Sequence, residues 1–425
     1  MVHVTNALKK FHLTFQEKNW AQRAYMLMYA GFCFYILFFP LGNALREIGI
    51  GITLAGMIPY YALDYKNSQV KRFRLKWIYL LFWAYILFKV FHSINIHYSW
   101  YGFETNFKKG FLLFFAGIEC VRSRKDLKRI VILFCIMGFY EGLDGFYQYF
   151  TGFDLVQGTA TMYENRLTGS FSTYRVGNLM AMILPPAMGI YFLWNRSWSA
   201  PKKRLLTALI LIPALFLFAA AKARSGYVGY FMACIAMLLF FRGFSWPKTI
   251  FVLALVCGAL FFGPSRTSYT RAIGDPRIQY IWPTAIQVFE HNPILGVGVN
   301  GFTKGFKSLG LHMPGGLDII PHPHNVYLQL ASETGIVGLG LFLFWIGSYL
   351  LWSWKKIRTG WLESSDTTHW ALAFCFWSAF LGYTGIAISG HNFFRTWWLG
   401  MALTLLGITI GACLAQPDSS QPSKK

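Results

Sequence analysis

The sequence predicts an all-α integral membrane protein with about twelve transmembrane helices. Three observations predict it. Of the 425 residues, 55% are hydrophobic, 19% aromatic and only 13% charged, where a soluble domain carries about 25% charged residues. Apolar stretches of about 17–23 residues recur along the chain, each long enough for a hydrocarbon core of roughly 30 Å. Basic clusters fall in every second gap between those stretches, as the positive-inside rule requires of cytoplasmic loops. With a mean hydropathy of +0.41, the composition excludes a single soluble globule and intrinsic disorder. The seven Cys lie in apolar runs without metal-ligand spacing, so they read as small membrane-buried hydrophobes rather than a disulfide framework.

Taken in order, the candidate spans are 22–42, 43–63, 77–97, 104–121, 129–150, 174–194, 205–221, 225–241, 248–263, 331–352, 369–389 and 396–415. The first is too long an apolar run, behind too long a charged segment, for a cleaved signal. Lys66, Lys71, Arg72, Arg74 and Lys76 follow the second span. Arg122, Arg124, Lys125, Lys128 and Arg129 follow the fourth, and Arg196, Lys202, Lys203 and Arg204 the sixth. Arg242 and Lys248 follow the eighth, and Lys355, Lys356 and Arg358 the tenth. Lys9, Lys10, Lys18 and Arg23 put the N-terminus on the same, cytoplasmic side, and an even number of spans returns the C-terminus there. Roughly 25 of the 39 Lys and Arg are then cytoplasmic. The net charge of +22 is therefore mainly a topology signal, and no nucleic-acid partner is expected. The chain reads as one polytopic domain over residues 1–425, without a short-period repeat, a low-complexity tract or a soluble domain.

Two non-cytoplasmic loops stand out. The longer, about 264–330 between spans nine and ten, holds four of the ten His, and loops of that length are usually functional. The other, about 151–173, carries Tyr163, Glu164, Asn165 and Arg166, with Arg175 just beyond. Positive charge on this side runs against the usual bias. Lys89 lies inside span three, Lys108 and Lys109 start span four, and Lys222 and Arg224 form a tight turn rich in small residues. Arg277 lies in the long loop, and His391 and Arg395 lie between the last two spans. Ionisable groups at membrane depth mark functional sites, although long side chains also snorkel to the interface. A guanidinium fork on that side suits phosphate oxygens, so the natural ligand is an anionic lipid headgroup or a lipid-linked diphosphate.

Within the long loop, Gly274-Asp275-Pro276-Arg277 reads as a helix start, with Asp275 as N-cap and Pro276 first in the helix. That helix is expected to run through Ile278, Ile281, Ala285 and Val288 to Glu290. Pro293 to Gly298 follows as a glycine-rich turn and is no P-loop, because no Gly-Lys-Ser/Thr follows. Pro321-His322-Pro323-His324-Asn325 leads into the next span. An extended backbone there would point His322 and His324 to opposite sides, which makes a metal site weak. His324 suits proton removal from a hydroxyl, while His324 or Asn325 could equally cap the helix. Glu333 reads either as an orienting partner for His324 or as a structural buried acid. Glu141 and Asp144, three apart on one helical face, are expected to pair with Arg or Lys. Few carboxylates face this side, so no metal is expected.

These residues carry a resemblance. Arg277-x4-Trp282, then Asn292-Pro293-Ile294-Leu295-Gly296-Val297-Gly298, then His324-Asn325, nine residues, and Gly335-x-x-Gly338 resembles the O-antigen ligase/polymerase superfamily. Arg224 matches that family's other functional arginine. The resemblance implies a GT-C-like, inverting glycosyltransferase in the bacterial inner membrane that needs no metal, nucleotide or other cofactor. It implies a glycan donor linked to undecaprenyl diphosphate on the periplasmic side. A ligase transfers the glycan to a sugar hydroxyl of lipid A-core, a polymerase to another lipid-linked unit, and protein O-oligosaccharyltransferases to Ser or Thr. The ligase is the favoured member. On this reading His324, Arg224 and Arg277 are catalytic, and Lys89, Arg224, Arg277, Asn325 and Arg395 hold the diphosphate or glycan. A transporter for a lipid-linked glycan is the alternative from another class. It would need charges near the midplane and paired broken helices, whereas here the charge gathers at one face.

Overall fold

The computed structural model describes residues 19–162, 165–171, 175–241, 248, 250–251, 274–314, 317–389 and 396–415. Most of span nine, together with Tyr163, Tyr174, His391, Arg395 and the side chains of Lys108 and Lys109, lies outside the described residues. The described chain is helical. It contains no β-strand, only the isolated bridges Phe153–Ala160 and Met162–Arg166.

The helices are α1 (Trp20–Phe38), α2 (Asn43–Asp64), α3 (Gln69–Arg72), α4 (Lys76–Phe91), α5 (Ile96–Glu119), α6 (Arg124–Thr151) and α7 (Val176–Met188). They continue as α8 (Ala200–Ala220), α9 (Arg224–Phe240), α10 (Trp282–His291), α11 (Phe302–Ser308), α12 (Val326–Glu363), α13 (Thr368–Ile386) and α14 (Thr396–Leu414). Eleven of the twelve expected spans thus coincide with helices, while α10 and α11 belong to the long loop. By length and composition, four described segments suffice to cross a membrane: Arg124–Thr151, Val176–Leu193, Ala200–Ala220 and Val326–Glu363. Shorter apolar helices accompany them, including Arg224–Phe240 and Leu399–Leu414.

The α6 helix shows why this bundle belongs in lipid. Ser123 and Asp126 form a capping box at its start, and left-handed Gly152 ends it. Between them, Ile132, Ile136, Phe139, Leu143, Tyr147 and Phe150 form an exposed stripe at helical spacing, while Val131, Phe134, Gly138 and Glu141 are buried. An apolar stripe that long would be a liability in water and is the expected outer face in a bilayer. At the centre, α7 is buried along its whole length against α6, α8, α9 and α13. Pro185-Pro186 does not end it. The helix runs on to Met188 and then tightens into the turn Gly189–Leu193.

One end of the bundle gathers the loops with the basic clusters. Arg124 and Arg196 both pair with Asp366, and Arg122 pairs with Glu119. Glu119 in turn accepts the backbone N–H groups of Gln69 and Val70. The helix α8, 21 residues and so about 30 Å long, leads from the Arg196 loop to the Lys222 turn at the far end. The described part of the long loop sits there and carries a small core of its own: Ile281, Ala285, Val288, Val297, Phe302, Phe306 and Met313.

That loop is plugged into a break in α12. Gly335 has φ 68° and ψ −173°, which interrupts the helix. The interruption would orphan several backbone groups. Instead the N–H groups of Ile336 and Val337 donate to the carbonyls of Pro293 and Ile294, at 2.8 and 3.5 Å. The carbonyls of Ser332 and Glu333 accept from Val297 and Gly298, at 3.0 and 2.8 Å. The Tyr85 hydroxyl donates to Thr334 O at 2.7 Å. A Cβ at Gly335 would lie 2.1 Å from Ile294 O, and one at Gly296 would lie 2.4 Å from Glu333 C. Gly335→Ala is therefore expected to destabilise the protein by more than the ~1–3 kcal/mol of a strained backbone alone. Gly340→Ala, which meets nothing within 4 Å, should lose nothing. Equal thermal stability of the two variants in detergent would refute this account of the break.

Candidate active site

Four helix starts converge at the loop end of the bundle. Arg175 precedes α7 and Ala223 precedes α9, neither with a side-chain cap. Asp275 starts the segment leading to α10: its Oδ1 accepts from Arg277 N at 3.0 Å, and its carbonyl accepts from Ile278 N and Gln279 N. That segment opens with a π-helical turn, Arg277–Ile281, before α10 proper. Asn325 caps α12, its Oδ1 accepting from Tyr327 N and Leu328 N at 2.9 and 3.1 Å. Helix starts present positive dipole ends and N–H donors, so their convergence favours an anion.

A cavity of about 460 Å³ lies among them. Its lining includes Arg166, Arg175, Lys222, Arg224, Arg277 and His324, together with Asn178, Ser225 and Asp275. Among the described residues, five cationic side chains thus face a single carboxylate. Asp275 sits between the two expected arginines, 3.4 Å from Arg277 Nε and 4.0 Å from Arg224 Nη1. Arg277 also donates to Ser389 Oγ at 2.9 Å, which ties it to the end of α13. The same end of α13 holds the start of α12, since Val326 N donates to Ala387 O and the Tyr327 hydroxyl donates to Thr384 O. Trp282, five residues after Arg277, donates through its indole N–H to Pro323 O at 3.1 Å. The Arg277 turn and the His324 turn are therefore fixed to each other and to α13.

The Arg224 side is held from the 151–173 loop. Arg166 donates to Ala221 O and Lys222 O at 3.1 and 2.9 Å. It thereby braces the turn in which Lys222 adopts φ 50°. His324 likewise has φ 55°. Non-glycine residues in the left-handed region cost about 1–3 kcal/mol each and tend to gather at functional sites. Here both line the cavity.

The structure brings Arg224, Arg277 and His324 together, as expected. Asn325 is buried and acts as a cap next to His324. Lys89 lies outside the lining. It is buried, and its Nζ donates to His92 O at 3.1 Å and to Gly296 O at 3.5 Å, so it supports the turn plugged into α12. Two expectations need correction, and the open reading of Glu333 resolves to one of its alternatives. His322 and His324 do not diverge: their rings lie 4.2 Å apart, because left-handed His324 breaks the alternation of an extended strand. Of its two readings, Glu333 takes that of a structural buried acid and does not orient His324. Fully buried, it accepts from Asn300 N at 2.9 Å and from Gln329 Nε2 at 3.3 Å. Glu141 and Asp144 bind loop groups rather than Arg or Lys: Glu141 accepts from Ser170 N and Oγ, and Asp144 accepts from Leu155 N. They fold the loop that delivers Arg166. Arg166, Arg175, Asn178 and Ser225 were not singled out for the site. The available signal for the two arginines was positive charge on the side expected to be translocated.

Residues 208–343 match the O-antigen ligase family. The matched stretch is about a third of the chain and contains Arg224, Arg277, His324, Gly335 and Gly338. The resemblance read from the arginine and His-Asn motifs is thus supported independently. The chain is also similar to proteins provisionally named polysaccharide ligases. One from Rickettsia prowazekii is 25% identical over 228 residues, which is 49% of this chain and 52% of that protein. One from Rickettsia typhi is 25% identical over 238 residues, 51% of this chain and 54% of that protein. The matched chain spans about half the length of these relatives. The apolar helices describe a membrane protein that is similar, over residues 208–343, to the O-antigen ligase family.

An anion site built this way should bind inorganic pyrophosphate. At about 100 times its Kd, pyrophosphate should stabilise the protein by about 2.7 kcal/mol, seen as a rise in Tm. Replacing both Arg224 and Arg277 by Ala should remove the rise. An undiminished rise in that double variant would place the anion elsewhere.

Proposed function

We propose that the protein is a metal-independent, inverting glycosyltransferase of the O-antigen ligase type. It takes a glycan from undecaprenyl diphosphate and transfers it to a sugar hydroxyl of lipid A-core. The observation that carries this reading is the placement of His324 in the same cavity as Arg224 and Arg277.

Negative charge grows on the diphosphate as the bond between its oxygen and the anomeric carbon breaks. Arg224 and Arg277 stabilise that charge, with Arg166, Arg175 and Lys222 adding to the field. The acceptor oxygen attacks the anomeric carbon from the opposite face, which inverts it. His324 takes the proton that the acceptor hydroxyl loses. Undecaprenyl diphosphate leaves with the bonding electron pair. Asp275 holds the two arginines in place before the donor arrives. A divalent cation is disfavoured by this lining, since Asp275 is its one carboxylate among the described residues and two arginines already engage it. Asn325 and Lys89 position the His324 turn and the loop, and Arg395 contributes from the segment before α14. In this reading the chain is a GT-C-like bundle of twelve spans in the bacterial inner membrane. Both termini are cytoplasmic, and the cavity opens to the periplasm.

The test uses purified protein in detergent with EDTA, a matched undecaprenyl-diphosphate-linked glycan, and lipid A-core present or omitted. Product on lipid A-core is expected, with His324→Ala reduced by about 10²–10⁴-fold while remaining folded. Longer lipid-linked chains formed without lipid A-core would make the protein a polymerase. Neither product would turn the reading toward protein acceptors or transport. Arg224→Lys should also lose most activity, because a lysine keeps the charge but not the two-pronged phosphate contact. Full activity in that variant would reduce Arg224 to a point charge.

A further inference from the structure

We infer that His322 is a positioning residue for His324, acting through a hydrogen bond from the His324 backbone to the His322 ring. The inference rests on the proposed role of His324. His322 is buried, while His324 lines the cavity. The backbone N–H of His324 donates to His322 Nδ1 at 3.2 Å, and the two rings pack 4.2 Å apart at 57°. An Nδ1 that accepts carries no proton, so the His322 ring bears its proton on Nε2.

The bond has a specific task. His324 sits at φ 55°, a conformation that a residue with a Cβ adopts only when its surroundings hold it there. On one side Trp282 fixes the Pro323 carbonyl, and on the other Asn325 is fixed as the α12 cap. The N–H between these anchors is His324's own, and His322 Nδ1 receives it. The two prolines, Pro321 and Pro323, stiffen the backbone that carries the acceptor. The arrangement aims the His324 ring at the cavity and not along the chain. Without the acceptor, His324 is free to relax toward extended backbone and its ring swings away from the cations. A displacement of about 1 Å at a reacting group can cost about 10²-fold in rate.

Two substitutions separate this role from mere packing. His322→Phe keeps a ring but removes the acceptor. His322→Asn keeps an acceptor oxygen at the same distance from the backbone as Nδ1. For His322→Phe, kcat should fall by about 10²-fold, with KM for the lipid-linked donor and the Tm gain from pyrophosphate unchanged. His322→Asn should recover most of that loss. Wild-type kcat in His322→Phe, equal losses in both variants, or a change confined to KM would each overturn the inference. A second readout does not need transfer activity. Carbethoxylation of His324 by diethyl pyrocarbonate, followed by peptide mass spectrometry, should change in rate in His322→Phe and stay at the wild-type rate in His322→Asn. An unchanged rate in His322→Phe would overturn the positioning role even if the donor or acceptor proved to be wrongly chosen. A wild-type protein with no transfer but with the expected pattern of modification would sink the proposed reaction and leave the positioning intact.

Discussion

The interrupted helix α12 is the constraint on which the rest depends. Backbone polar groups away from water must find partners, and a break in an apolar helix frees several at once. The Asn292–Gly298 segment supplies partners on both sides of Gly335, and Tyr85 supplies another. The long loop is thereby attached to the bundle by main-chain bonds, which do not depend on side-chain rotamers. Lys89 and Glu333, two buried ionisable groups, serve the same attachment. They support the platform on which the cavity is built and lie behind it.

The cavity itself is an electrostatic construction. Helix starts from distant parts of the chain meet at one place, and among the described residues five cationic side chains gather around one carboxylate. Such an arrangement is costly when empty, because like charges repel. Asp275 offsets part of that cost by engaging both Arg224 and Arg277. An anion bound among the arginines offsets more. The left-handed residues Lys222 and His324 show that local strain is accepted here, with Arg166 and the ends of α10, α12 and α13 holding them.

Much of this was legible in the residues. Helix positions followed from hydrophobic length, and Asp275-Pro276 marked a helix start that the structure contains. Arg224, Arg277 and His324 stood out because charge on the side expected to be translocated, and a histidine before an expected span, are unusual. The errors share a cause. Reading His322 and His324 as diverging assumed an extended backbone, and a left-handed residue is not visible in a sequence when it is not glycine. Assigning Lys89 to substrate, and giving Glu141 an Arg or Lys partner, assumed that a charge seeks another charge. Both instead satisfy backbone or hydroxyl groups of distant loops.

The sequence by itself determined the membrane-protein class, the order of the apolar helices, the resemblance to O-antigen ligases and three of the side chains that line the cavity. These depend on local quantities: hydrophobic length, charge bias and short-range spacing. Only the tertiary structure decided that Arg166 and Arg175 join them, that Asp275 bridges the arginines, and that His322 faces His324. It alone also decided that Lys89 and Glu333 hold the loop behind the cavity. Those outcomes depend on which backbone groups a distant segment leaves unsatisfied, and that is settled only when the loop closes on the break in α12.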